Sequence, residues 1–245
     1  MPYDPHLECV VPPRDTIIWR YIDFTKYVSM IQTGHLFFSS VRVLAKKDKW
    51  EAAFPERWKE AWVKKLGGGD FAPDVILRRS REVLDARAFV NCWHINETES
   101  DAMWRLYANG TSNLVIRSTV GRLCDSFSVE PRFIHVGRVE YIDFDRCDFD
   151  DKIKDRILNI TPALLWKRPG FKHEQELRAI YYSSMDMTSN GLLISSDLVT
   201  LIEKIIVSPQ SEAWFEELVR SISNKFGYTM IPIERSKWDD APKTA

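Results

Sequence analysis

Two periods of apolar spacing run along the chain, and the switches between them divide it into short elements. In TIIWRYI (16–22) a β-branched and aromatic run places Ile17, Trp19 and Tyr21 on one side and Ile18, Arg20 and Ile22 on the other, which predicts a strand buried on both faces. Asp23 follows as a helix N-cap before FTKYVSMIQT, where Phe24, Tyr27, Val28 and Ile31 form an apolar stripe and Gly34 supplies the stop. HLFFSS (35–40) predicts the next strand, so the chain opens strand–helix–strand. Beyond it the spacing predicts helices over 48–66, 73–87, 150–166 and 211–225, and a capped one from Thr98 to Gly110. It predicts strands over 88–95, 113–118, 133–142, 173–182, 191–195, 204–209 and 228–233. Residues 1–15 are Pro-rich and read as an irregular arm.

Strands and helices mix without a regular βαβ rhythm, and several strands follow one another directly. That pattern predicts an α+β fold with mixed, mostly antiparallel sheets and helices. No linker stands out, so residues 1–245 read as a single domain carrying a helical insert at about 45–87. Within the insert, Phe54, Trp58 and Trp62 recur every fourth residue and read as core. LGGGD (66–70) neither follows a strand nor carries the Lys-Ser/Thr of a phosphate loop, so it has no nucleotide role. Arg78, Arg79, Arg81 and Arg87 read as a solvated helix face.

Composition narrows the function. Lys+Arg 34 against Asp+Glu 35 gives a formal net charge of -1, so no global basic field holds a long phosphate backbone. Cys9, Cys92, Cys124 and Cys147 are far apart and form no CxxC pair, so neither a zinc site nor a redox motif is suggested, and no metal ligand is assigned. The N-terminal residues lack a basic start and an apolar run, and no apolar stretch is long enough to span a bilayer, so no membrane partner is expected and a cytoplasmic location is.

The candidate chemistry centres on KRPGFKHEQELR (167–178). On a strand over 173–182, Glu174, Glu176 and Arg178 share one face, and two carboxylates about 7 Å apart along it converge on one ligand. The plainer alternative is a solvent face with a Glu–Arg pair. Arg20 sits inside a strand buried on both sides and needs an anion, either Glu174 or Glu176 or a bound phosphate or carboxylate. Ser39 and Ser40 end the second strand and offer hydroxyls. Trp93, Trp104 and Tyr107 either stack a flat ring or fill core, and His94 is either a base or a satisfied core histidine. Asp48 and Glu51 add acids after the second strand.

In order along the chain, WRYID, LFFSS, KDKWEAAF, VNCWHINETESDAMWRLYANG, VEYID, KRPGFKHEQELRAIY and KIIVSP resemble a bacterial domain of unknown function, family 2971, over roughly residues 14–225. Some members of that family accompany phage-defence systems. More distantly, Arg20 on the first strand, a serine ending the second and the late Glu-x-Glu resemble the Arg–Ser–Glu pattern of mono-ADP-ribosyltransferases. That resemblance implies a split-sheet core and NAD as substrate. It implies Arg20, Tyr21, Ser39, Ser40, Tyr107 and Arg178 around the NAD, Glu176 supporting glycosidic cleavage, and Glu174 orienting the acceptor. The implied function is an NAD-consuming ADP-ribosyltransferase or NAD glycohydrolase, with a nucleotide or small-molecule ligand and an acceptor, protein or nucleic acid, left open. Two other readings stand beside it. One is a non-catalytic sensor module that binds a nucleotide or a protein. The other is a metal-dependent nuclease using Asp48 or Glu51 with Glu174, Glu176 and Lys167.

Overall fold

A computed structural model describes residues 3–6, 9–58, 60, 73–107, 110–146 and 160–238. The opening follows the predicted order: β1 (Ile17–Asp23), α1 (Phe24–Thr33) and β2 (His35–Ser40). Asp23 both ends the strand and caps the helix, its carboxylate accepting from the Lys26 N–H. Gly34 closes the helix at φ 68, its N–H donating to the Met30 carbonyl.

The hub of the fold is β3 (Ala88–Ile95). One of its edges pairs along its length with β8 (Glu176–Tyr182), from Ala88↔Tyr182 to His94↔Glu176, and β8 pairs in turn with β5 (His135–Arg138). Its other edge is shared. β1 takes the end at His94 and Ile95, β2 takes Phe89 and Val90, and Asn91 to Trp93 pair with neither. From β1 the sheet runs on through β4 (Asn113–Thr119), β10 (Lys204–Val207) and β11 (Ile233–Arg235); from β2 it runs to β9 (Gly191–Ser195). Among the described residues this is a nine-stranded sheet in which only the β10–β11 pair is parallel. The fold is therefore α+β with a mostly antiparallel sheet, and the sheet is split where β1 and β2 part. A separate parallel pair joins β6 (Glu140–Tyr141) to β7 (Trp166–Lys167).

Directly opposed residues on neighbouring strands point to the same side. Ile18, Ile22, Phe89, Trp93, Leu177 and Ala179 thus face one way and pack against α1 together with Leu123 of the helix Val120–Ser126 and Phe215 and Val219 of the helix Ala213–Lys225. Trp19, Tyr21, Val115 and Ile206 face the other way onto Met103 and Trp104 of the helix Asp101–Tyr107. Val90 and Ile180 lie on that second face with Leu164 and Leu165. No helix among the described residues is long and apolar enough to cross a membrane.

Several predicted elements change. The strand expected over 133–142 breaks at Val139, because its N–H bonds to Glu176 and that of Glu140 to Leu165, so the chain trades β8 for the β7 segment. Residues 48–55 are turns, Asp48 accepting from Trp50 N–H, and helix starts only after Pro55. Trp58, fully buried and stacked on Phe54 at 4.6 Å, is core as expected, while Trp62 and LGGGD lie outside the described residues. Most of the helix expected over 150–166 also lies outside them. Its described end, Thr161–Leu164, is a 3-10 turn. Ser100, not Thr98, caps the Asp101–Tyr107 helix, accepting from Met103 N–H. Strand β11 begins at Ile233, past the turn that closes on Gly227. Three helices carry no clear spacing and escape a pattern reading: Val41–Leu44, Leu198–Leu201 and Val120–Ser126.

The glycines at two turning points differ in what they permit. A Cβ on Gly34 meets nothing within 4 Å, so Gly34→Ala costs only its left-handed backbone, about 1 kcal/mol. A Cβ on Gly191 would stand 2.5 Å from the Phe38 carbonyl oxygen across the β2–β9 ladder. Gly191→Ala is therefore expected to lose at least twice as much, read by chemical denaturation of the two variants beside the parent.

Candidate functional site

The stretch 167–178 is not one strand. Pro169–Glu174 form a 3-10 turn, Gln175 takes a left-handed conformation at φ 37, and β8 begins only at Glu176. Glu174 therefore lies off the strand, which corrects the expected alternation. The turn nevertheless swings its carboxylate back beside that of Glu176, and both meet Lys167 at the end of β7: Nζ lies 2.5 Å from Glu174 and 2.9 Å from Glu176.

Behind them stands Arg178, 1 % exposed. Its Nε donates to Glu176 at 2.9 Å, and its two terminal nitrogens donate to Glu51 at 2.5 and 3.0 Å. One of them also donates to the Leu164 carbonyl at 2.6 Å. Glu51 thus enters from a distant turn to close a Glu–Arg–Glu–Lys–Glu chain, formally three acids against two cations. Burial by itself would drive the Glu176 carboxyl up, but the charges of Arg178 and Lys167 overcome it and hold the group down at about 2. Burial likewise works against the Lys167 ammonium, and Glu176 and Glu174 outweigh it, keeping the amine above its ordinary range. Burial pushes the neighbouring Cys92 thiol up.

Tyr107 is where this chain meets solvent. It is 49 % exposed, and its hydroxyl donates to Glu174 at 2.5 Å. Burial and then that carboxylate raise the phenol above its usual value. His173 and Gln175 are exposed beside Glu174. His94, opposite Glu176 in the ladder, is 3 % exposed and donates from Nδ1 to the Glu174 carbonyl at 2.6 Å. Burial lowers its pKa, which favours the neutral ring. The Glu176 N–H donates to the Tyr141 hydroxyl at 2.9 Å instead of to a strand.

The structure divides the expected NAD-contact residues. Tyr107 and the two glutamates come together. Arg178 joins them, but wholly enclosed, where it holds Glu176 and cannot reach a ligand. Tyr21 lies on the same face, 8 % exposed, with its ring against His94 and Trp104 and its hydroxyl accepting from Ser100 N–H. Ser39 and Ser40 lie opposite Val90 and Phe89, away from the acids in the β3 ladder, and Ser40 Oγ is buried without a partner. Arg20 is on the opposite face: Trp19 stands against His94, so the next side chain along β1 turns to the Trp93 side. Its guanidinium donates to the Cys92 carbonyl at 2.7 Å and lies 5.9 Å from the Trp93 ring centre, and no carboxylate pairs with it among the described residues. The expected pairing of Arg20 with Glu174 or Glu176 is thus replaced by Lys167, which arrives on a two-residue strand with no periodic signal of its own.

Asp48 pairs with Arg168 at 3.3 Å, and Glu51, Glu174 and Glu176 share Arg178 and Lys167, so every acid of the nuclease reading has a cationic partner. Among the described residues no group of three His, Cys, Asp or Glu side chains is placed to hold a metal ion.

No protein-family model matches the chain, so the likeness to family 2971 stands as a resemblance. No curated protein matches it either. Solved structures similar to it include three of DarT from Thermus sp. 2.9. The complex with ADP-ribosylated ssDNA has a TM-score of 0.44 and 12% identity, covering 93% of this chain and 96% of that one. The complex with NAD+ gives 0.41 and 15% over 92% and 97%, and that with carba-NAD+ gives 0.39 and 15% over 91% and 96%.

Two stability measurements probe the network. Arg178→Ala leaves Glu51 and Glu176 buried without their shared cation and is expected to cost about 3–5 kcal/mol in urea unfolding. The depressed Glu176 carboxyl contributes stability that is whole above about pH 4.5 and is lost as the pH falls toward 2. Unfolding free energy followed from pH 7 to pH 3 is therefore expected to decline, and Glu176→Gln to decline less steeply over that range.

Proposed function

We propose that the chain cleaves the nicotinamide–ribose bond of NAD and passes the ADP-ribose to water or to a macromolecular acceptor, at the cluster of Glu174, Glu176, Lys167 and Tyr107. One observation carries the reading: the Glu176 carboxylate, 5 % exposed and paired with Arg178, lies one lysine away from a second carboxylate whose phenolic partner stands at the solvent boundary. A fixed negative charge in a water-poor site stabilises positive charge that develops there. In this reaction the C1′–N bond breaks and its electron pair passes to the nicotinamide, which leaves neutral. The positive charge shifts to the ribose, where Glu176 opposes it. The acceptor oxygen then bonds to C1′ and gives its proton to Glu174. Tyr107 orients Glu174 and offers its exposed ring to the leaving nicotinamide. Lys167 holds both acids in register, and Arg178 keeps Glu176 ionised from behind. Arg20, Ser39 and Ser40 stand outside this reading. A role in phage defence rests on the sequence resemblance alone.

A second reading has its own observation. Both oxygens of Glu174 and both of Glu176 already hold donors from Tyr107, Lys167 and Arg178. A network so satisfied also suits a binding module that turns nothing over.

Nicotinamide release from NAD, measured by chromatography with water, protein and single-stranded nucleic acid as acceptors, separates the two. The first reading expects turnover that Glu176→Gln lowers by about a hundredfold or more and Tyr107→Phe by less. A chain that NAD stabilises against heat, with no nicotinamide released under any acceptor, belongs to the second.

A further inference from the structure

A cavity of about 300 Å³ opens at the split, lined by Arg20, Ile22, Met30, Leu36, Phe37 and Leu193, with Lys26, Ser29 and His35 at its margin. It lies between β1, α1 and the β2–β9 pair, where Arg20, Ile22 and Leu36 turn to the Trp93 side of the sheet and Phe37 and Leu193 to the other. That volume falls at the small end of ligand pockets.

Arg20 is out of place in such a wall. A guanidinium carries five N–H donors. Here one hydrogen bond is made, to the Cys92 carbonyl, and Arg20 makes no other among the described residues. None of its nitrogens is sealed away from space as an unpartnered buried atom, so the remaining donors look into the cavity. Among the described residues no carboxylate opposes its charge, and burial lowers its pKa as expected of a cation without a counter-ion. The other basic side chains of the lining have partners. Lys26 pairs with Asp23 at 2.5 Å, and the His35 ring bonds the Thr33 carbonyl through Nδ1 and the Ser195 hydroxyl through Nε2. Among the described residues Arg20 is the basic group of this lining without an anionic or second hydrogen-bond partner, and its one positive charge balances one negative charge. A dianion such as phosphate would leave a charge uncompensated among Ile22, Leu36 and Phe37.

We propose that this cavity binds a small monocarboxylate with an apolar aryl or alkyl body: the carboxylate forks onto the open side of Arg20, and the body fills the space between Met30, Leu36, Phe37 and Leu193. The site is separate from the carboxylate cluster and does not rest on the NAD reading. It touches that cluster at one point. The Cys92 carbonyl receives Arg20, and the Cys92 thiol faces Glu176 on the other side of the strand.

Calorimetric titration of the full chain with phenylacetate tests this, with neutral phenylacetamide and inorganic phosphate as comparison probes. Phenylacetate is expected to bind, and each comparison probe to bind at least about tenfold more weakly. Arg20→Gln is expected to weaken phenylacetate at least about tenfold. Leu193→Trp, which fills the cavity from its half-exposed rim and leaves Arg20 in place, is expected to do the same. Glu176→Gln is expected to leave phenylacetate binding unchanged, so that failure here and failure of the NAD reading are told apart. The proposal is overturned if phenylacetate does not bind at millimolar concentration, if phosphate or phenylacetamide binds as well as phenylacetate, or if Arg20→Gln and Leu193→Trp both bind it as the parent does.

Discussion

A single guanidinium organises the lower half of this molecule. Arg178 sits inside the protein, fully desolvated, and is tolerable there only because Glu176 and Glu51 share its charge and the Leu164 carbonyl takes a further N–H. The arrangement ties three remote segments to one atom group: the turn around residue 51, the chain near 164 and strand β8. It also has a chemical result. Glu176, which burial alone would neutralise, remains charged. A carboxylate that is both dry and paired with two cations is a costly object for a protein to build.

Much of the architecture could be read from periodicity. Asp23 and Gly34 mark both ends of α1 in the letters themselves, and β1, β2, β3, β4, β9 and β10 all fall where alternating or continuous apolar runs stand. The failures are of two physical kinds. Short helices such as Val41–Leu44 are set by the tertiary path and span too few residues for a period to appear. The break at Val139 comes from a change of hydrogen-bond partner, which no side-chain pattern announces.

The candidate site was legible in part. Glu174 and Glu176 stand out by their spacing with Arg178, and Tyr107 as an aromatic that stacks a ring or fills core, and the three do meet. Their assembly could not. A left-handed Gln175 breaks the strand that seemed to carry both acids, and Lys167 and Glu51 arrive from segments whose own sequences say nothing of where they dock. Arg20 shows the limit most sharply. Arg20 finds a backbone carbonyl and no carboxylate among the described residues, on a face its position in the strand does not announce. The register Trp19↔His94 decides that, and it sends the side chain to the far side of the sheet from the acids.

The central position of β3 has a consequence for how the chain reaches this state. Its neighbours β1, β2 and β8 come from both ends of the sequence, so little of the sheet can be completed by contacts between nearby residues. While the polypeptide emerges from the ribosome, the first half exposes an apolar β3 flanked by β1 and β2 with one edge bare, until β8 is made and seals it. Arg178 travels with that late strand. Before it arrives Glu51 has no cation to share, so synthesis of the last third of the chain is what converts an open, sticky half-sheet into a closed body, and the interval before it is when the nascent protein most needs a chaperone.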